Sequence, residues 1–282
     1  MIHNVKDSRL LEYQPLNGKS LWSRLSSQRG WLVLISAGLA VLTWHLIARL
    51  GNFSAYILPT PVQVFWRMIE VITDGSLLRN ALVTLEEVLA GLLLGVGVST
   101  LLGYLLAKSL SIERLLSPYI VASQSVPIVA IAPLLVIWFG PGMFSKILIC
   151  ALIVFFPVLV NTVVGLRSVP EDLRDLMQSL RATRWQTLRL LEAPAALPVF
   201  LGGLRIGATL SVIGAVVGEF VGADRGLGFF INRARGQYDT ALVFVGVLAL
   251  IVMALALYGF VVVLEARLLA WRELPEQRVL AQ

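Results

Sequence analysis

The chain is predicted to be an all-α, polytopic membrane protein with six transmembrane helices and one cytoplasmic helix–turn–helix loop. Three observations carry that prediction. Of 282 residues, 57% are apolar and 14% charged, and the mean hydropathy is +0.83, far outside soluble norms. The apolar residues gather in long continuous runs without period-two alternation, so helices rather than barrel strands are expected to cross the bilayer. Between two of these runs stands a charged island, Ser168 to Pro198.

Taken in order, residues 1–30 are polar with a basic bias and are expected to be a cytoplasmic N-terminal segment. No small-x-small cleavage site follows the first apolar run, so that run is expected to be a retained span. The runs are Trp31–Ile47, Val88–Leu106, Pro118–Trp138, Lys146–Val164, Leu197–Val217 and Ala241–Leu264. Each is about 17–25 residues, enough to cross a hydrocarbon core of roughly 30 Å. They make one six-span domain, 31–271, followed by a cytoplasmic tail, 272–282. With the N-terminus inside, fifteen lysines and arginines fall on the cytoplasmic side. Seven fall outside: Arg49, Arg67, Arg79, Lys146, Arg225, Arg233 and Arg235. Both termini and the 168–198 loop are therefore placed in the cytoplasm. A basic cytoplasmic face accounts for the net charge of +6 without a nucleic-acid partner.

In the second run, the spacings of Gly91, Gly95 and Gly103 point to close helix packing. In the third, Pro127 and Pro133 free backbone carbonyls, and Gln124 just before them either lines a polar path or hydrogen-bonds across helices. Trp138-Phe139 followed by Gly140-Pro141-Gly142 reads as an interfacial anchor and a tight turn. The fifth run has two faces. Gly203, Gly207, Gly214 and Gly218 lie within about 60° at ~100° per residue, and Arg205, Thr209 and Glu219 lie opposite. Charge at the bilayer centre costs at least ~2.5–3.5 kcal/mol, so the polar side is not expected to face lipid. Thr209 and Glu219 are candidates for a translocation path, with Glu219 at its outer mouth. The alternatives are that Glu219 caps the following VGADRGLG loop and that Arg205 snorkels to the interface.

The charged island predicts two short helices. Leu173, Leu176, Met177 and Leu180 recur at i, i+3, i+4 and i+7, one apolar face. Ser168 and Glu171 have capping-box spacing, with Pro170 in the first turn. Thr183 and Gln186 form a second such pair, opening a helix expected to stop before Pro194. A loop that only reconnected two spans would not require this apolar ridge.

No catalytic, metal or cofactor site is expected. Cys150 is the only cysteine, and His3 and His45 lack companions at ligand spacing. Gly18-Lys19-Ser20 imitates the end of a phosphate-binding loop, but Tyr13 stands where its first glycine belongs. H-E-x-x-H and G-x-S-x-G do not occur, so the chain is not expected to be an enzyme.

At the charged island the chain resembles the coupling loop of ABC-importer permeases, whose pattern is E-A-A, three residues, Gly, and a later L-P. Asp175-Leu176-Met177, Arg181 and Leu197-Pro198 stand at the matching positions. PTPVQV (Pro59 to Val64), PLLVIWFGPG (Pro133 to Gly142), ATRWQTLRLLEAPAALP, GLRIG (Gly203 to Gly207) and GLGFFI (Gly226 to Ile231) follow in the family's order. The resemblance implies a permease dimer in the bacterial cytoplasmic membrane, two separate ATPase subunits and an extracytoplasmic solute-binding protein. It assigns ATPase coupling to Leu173, Asp175, Leu176, Met177, Leu180, Arg181, Arg184 and Trp185. Glycine at the turn permits a left-handed backbone, and Arg181 departs from it at a cost on the order of 1 kcal/mol. The segments 123–140, 155–162 and 214–228 look closest to permeases for riboflavin and thiamine's pyrimidine precursor. Sulfonate, taurine or nitrate is the alternative solute group. An ion-coupled secondary transporter is a separate alternative, which would require further intramembrane acidic residues or an inverted repeat.

Overall fold

The computed structural model describes residues 18–51 and 53–271, apart from the side chains of 18–30 and 33. The expected tail, 272–282, and the first seventeen residues lie outside this description. Every regular element among the described residues is helical, and none is a strand. The chain divides into two units, Met1–Ser54 and Ala55–Gln282. The first holds α1 (Gly18–Leu50), whose backbone starts at the phosphate-loop mimic and whose apolar part is Leu34–Leu50.

The second unit contains α2 (Pro61–Thr73), α3 (Ser76–Lys108), α4 (Leu110–Gln124), α5 (Ile128–Phe139) and α6 (Met143–Arg167). After them come α7 (Glu171–Ser179), α8 (Arg184–Thr187), α9 (Ala193–Gly222), α10 (Leu227–Gly236) and α11 (Thr240–Leu268). Thr60 and Gln63 close a capping box that starts α2, with Pro61 in its first turn. Four helical segments are long and apolar enough to span: α3, α6, α11 and the continuous stretch Arg184–Gly222. The third apolar run is not one straight helix. It is broken into α4 and α5, which meet at 96° and count as one further span if taken together. Pro127 causes the break, because it has no N–H to donate and disfavours helical geometry at Val126.

The core sits on α6, which packs most extensively against α9 and α3. Both partners present glycine to it. A Cβ on Gly214 would lie 2.8 Å from Cys150 Cα, and one on Gly95 would lie 2.8 Å from the Ala151 carbonyl. Gly203, Gly207 and Gly218 likewise meet α6 at Asn161, Val154 and Lys146. The glycine face of the fifth run is thus its α6 face, and the glycines of the second run serve packing, both as the spacing implied. Cys150 is buried with Val88, Ala208, Val212, Ala215, Leu257 and Val261 in the central cluster. The Ser99 hydroxyl donates to the Phe155 carbonyl at 2.8 Å, tying α3 to α6 without exposing a polar group to lipid.

Candidate functional site: the 168–198 loop and the buried polar clusters

The loop starts where α6 ends. The Ser168 hydroxyl donates to the Gly165 carbonyl at 2.8 Å, and α7 begins after Pro170 without a side-chain cap. This corrects the capping box expected from Ser168 and Glu171, since the serine's hydroxyl is engaged behind it. Two acidic residues in the first turn, Glu171 and Asp172, suit the positive end of the helix dipole instead. The ridge is exposed: Leu173 is 43%, Leu176 53% and Leu180 68% accessible, with Met177 half-buried. Asp175 is exposed on the opposite side.

Helix α7 closes at Leu180 with Arg181 at φ 53°. The Arg181 N–H donates to the Gln178 carbonyl at 2.8 Å, and the Ala182 N–H to the Met177 carbonyl at 2.9 Å. This pair of bonds is a Schellman closure. The left-handed turn that glycine would favour is therefore kept, with Arg181 in its place. Thr183 and Gln186 form the expected capping box on α8, leaving Arg184 and Trp185 exposed, the latter at 68%. Trp185 and Arg189 also edge an apolar groove of about 730 Å³ along α3, α6 and α9.

The helix after Thr183 does not stop before Pro194. Residues Leu188–Glu192 form a π turn, marked by the Ala193 N–H donating to the Leu188 carbonyl, and α9 continues directly. In an α-helix the Pro194 ring would collide with the carbonyl four residues earlier, and the wider turn relieves that collision. The stretch from Arg184 to Gly222 is consequently one 39-residue rod, on the order of 55–60 Å long. Glu192, in the π turn, is 1% exposed. Its Oε1 accepts from Lys108 Nζ at 2.5 Å and lies 3.8 Å from Arg174 Nε. Arg174 also donates to the Leu166 carbonyl at 2.8 Å. Sequence reasoning missed this cluster. The signal available was an acidic residue directly ahead of the A-P-A-A-L-P segment.

At the opposite end of α6 and α9 lies a second buried cluster. Glu219 is 1% exposed. Its Oε1 accepts from the Thr84 hydroxyl at 2.6 Å, and its Oε2 accepts the Gly228 N–H. Thr84 in turn accepts the Leu227 N–H at 2.7 Å, and Asn80 accepts the Gly226 N–H at 2.9 Å. Gly226 has φ 107°, and any Cβ there would run into the Glu219 carboxylate. These bonds satisfy the loop-cap alternative for Glu219. The expectation that it shares a water-facing side with Thr209 is corrected, because α3 and the Gly226–Gly228 turn cover it. Beside it, Lys146 pairs with Glu87 at 3.3 Å, at 3% and 1% exposure. Lys146, counted from sequence as an outer surface charge, is therefore a buried partner, and Glu87 is a second acidic group inside a span.

The other path candidates are placed apart from this cluster. Gln124 is exposed at the α4–α5 break, and Thr209 is half-buried with its hydroxyl on the Ile206 carbonyl at 2.8 Å. Arg205 is partly exposed near the end of α11. It pairs with Glu265 of α11 and lies 5.5 Å from the Tyr258 ring. Among the described residues there is no cluster able to hold a metal ion.

Residues 99–270 match the family described as binding-protein-dependent transport system inner membrane component. A riboflavin transport system permease protein of Chloroflexus aurantiacus is 44% identical over 83% of this chain and 87% of its own. A formylaminopyrimidine transport permease protein of Halalkalibacterium halodurans is 37% identical over 82% of this chain and 91% of its own. A putative aliphatic sulfonates transport permease protein of Bacillus subtilis is 35% identical over 86% and 88%. The MetNI methionine ABC transporter, in inward-facing conformations, shares the fold. The TM-score is 0.63 at 18% identity, over 70% of this chain and 97% of that one. The chain belongs to the inner-membrane permease family of binding-protein-dependent ABC importers.

Proposed function

We propose that this permease moves riboflavin or a thiamine pyrimidine precursor inward, working as a homodimer with two ATPase subunits and an extracytoplasmic binding protein. The single observation that carries the coupling part is the α7 ridge of Leu173, Leu176 and Leu180, apolar and exposed on a loop otherwise rich in charge. Such a ridge fits burial in a partner groove, with Arg181, Arg184 and Trp185 at its rim setting register and Asp175, on the other side of α7, left outside the groove. The 168–198 loop, both termini and the segments 1–30 and 272–282 belong on the cytoplasmic side in this reading, and 31–271 is the translocating domain. ATP-driven closure of the ATPases moves the paired loops as rigid bodies. The Arg184–Gly222 rod carries that motion into α9. Gln124 and Thr209 remain the residues proposed to face the solute, while Glu219 acts by holding the Gly226–Gly228 turn. The solute assignment is supported by the two vitamin-related relatives, and the sulfonate relative supports the alternative.

Reconstitution with the cognate ATPase and binding protein in proteoliposomes tests this. Uptake of labelled riboflavin or formylaminopyrimidine is expected, and it should vanish when the ATPase's phosphate-binding lysine is mutated. Uptake of taurine or an alkanesulfonate alone would select the other solute group. Uptake driven by an ion gradient without ATP would overturn the importer mechanism.

A further inference from the structure

The Lys108–Glu192–Arg174 cluster joins three elements that have to move in concert if the loop transmits force. Lys108 is the last residue of α3, Arg174 lies in the middle of α7, and Glu192 closes the π turn that leads into α9. Glu192 has almost no solvent contact, while Lys108 and Arg174 are 41% and 33% exposed. A small cavity of about 150 Å³ is lined by Ala107, Lys108, Leu166, Arg174 and Glu192. Into this region point two buried atoms without hydrogen-bond partners, Glu192 Oε2 and Arg174 Nε. The carboxylate is therefore closed against Lys108 and open towards Arg174. A shift of α7 by about an ångström would close the second pair, since 3.8 Å exceeds a charge-assisted bond of ~2.8 Å by that amount.

We propose that Glu192 is a positioning residue for energy coupling, a latch that fixes α7 against α3 and α9 through Lys108 and Arg174. The inference rests on the reading of 168–198 as the coupling loop. A wide turn within an otherwise α-helical rod is where such a rod changes direction, and the buried carboxylate sits in that turn. With the latch intact, displacement of the α7 ridge is passed to the rod. Without it, α7 slides on its own and the rod stays behind.

The test uses the whole importer in proteoliposomes, with its cognate binding protein purified carrying its own solute. Glu192→Gln keeps size and removes the charge. Assembly and basal ATP turnover are expected to stay near wild type, while stimulation by the binding protein falls on the order of tenfold. Lys108→Gln leaves Arg174 facing the carboxylate and should lower stimulation by less, roughly threefold. Spin labels at Gln178→Cys and Leu110→Cys, in a Cys150→Ala background, should show a broadened distance distribution in Glu192→Gln. Wild-type stimulation in both variants with an unchanged distribution overturns the latch. If Glu192→Gln fails to assemble, Lys108→Gln decides alone, and wild-type stimulation there also overturns it. Leu176→Asp is the control for the underlying reading: if it still binds and responds to the ATPase, the loop itself has been misassigned, whatever Glu192 does.

Discussion

The two ends of the α6–α9 pair solve opposite problems with the same residue types. At the far end, Glu87, Lys146, Glu219 and Thr84 are all buried, and each carboxylate has a partner within the chain. Within the 168–198 loop Glu192 is the one buried charged residue, while Leu173, Leu176, Leu180 and Trp185 stand exposed. One end pairs its buried charges within a single chain, and the other is apolar where it faces outward and charged where it faces inward. That inversion is what a surface finished by another protein requires.

The comparison breaks most easily at the far end. Lys146→Met leaves Glu87 buried without its cation and should destabilise the purified protein by about 3–5 kcal/mol, read as a lowered melting temperature. Adding Glu87→Gln should recover most of that loss, and failure to recover would show that the lysine stabilises through packing alone. Gly226→Ala comes next. The backbone at φ 107° is glycine territory and alone costs about 1–3 kcal/mol, and the new methyl group would also displace the Glu219 carboxylate. The loop end should respond more gently, because less of it is buried. Thr183→Ala removes the capping box of α8 and should cost about 1 kcal/mol. Arg181→Gly should do the reverse. It relieves the left-handed strain at φ 53° by on the order of 1 kcal/mol, and Arg181→Ala should give no relief.

Legibility followed the same division. Apolar runs and glycine spacing located α3, α6, α9 and α11, because a helix in lipid is specified by length and by small-residue seams. The start of α3 was missed by twelve residues, from Ser76 rather than Val88. Glu86 and Glu87 interrupt the apolar run there, and nothing in the local sequence shows that Lys146 will accompany one of them. Pro194 looked like a stop because proline ends an α-helix, yet a π turn lets the helix continue through it. The bend of 96° between α4 and α5 was foreshadowed only by Pro127, whose effect on direction depends on neighbours. The ridge and the Thr183 cap were fully local and were legible. The Glu192 latch joins residues 84 positions apart, so no local pattern announced it.

Chemical accessibility of the α7 ridge decides whether that ridge is the ATPase contact. In a Cys150→Ala background, Leu180→Cys and Gln178→Cys place thiols on opposite sides of the loop helix. Both should react readily with a water-soluble thiol reagent in the isolated permease, as their exposure implies. With the ATPase subunits bound, Leu180→Cys should become protected while Gln178→Cys stays reactive. Equal reactivity of Leu180→Cys with and without the ATPase would show that the ridge is not where the ATPase docks.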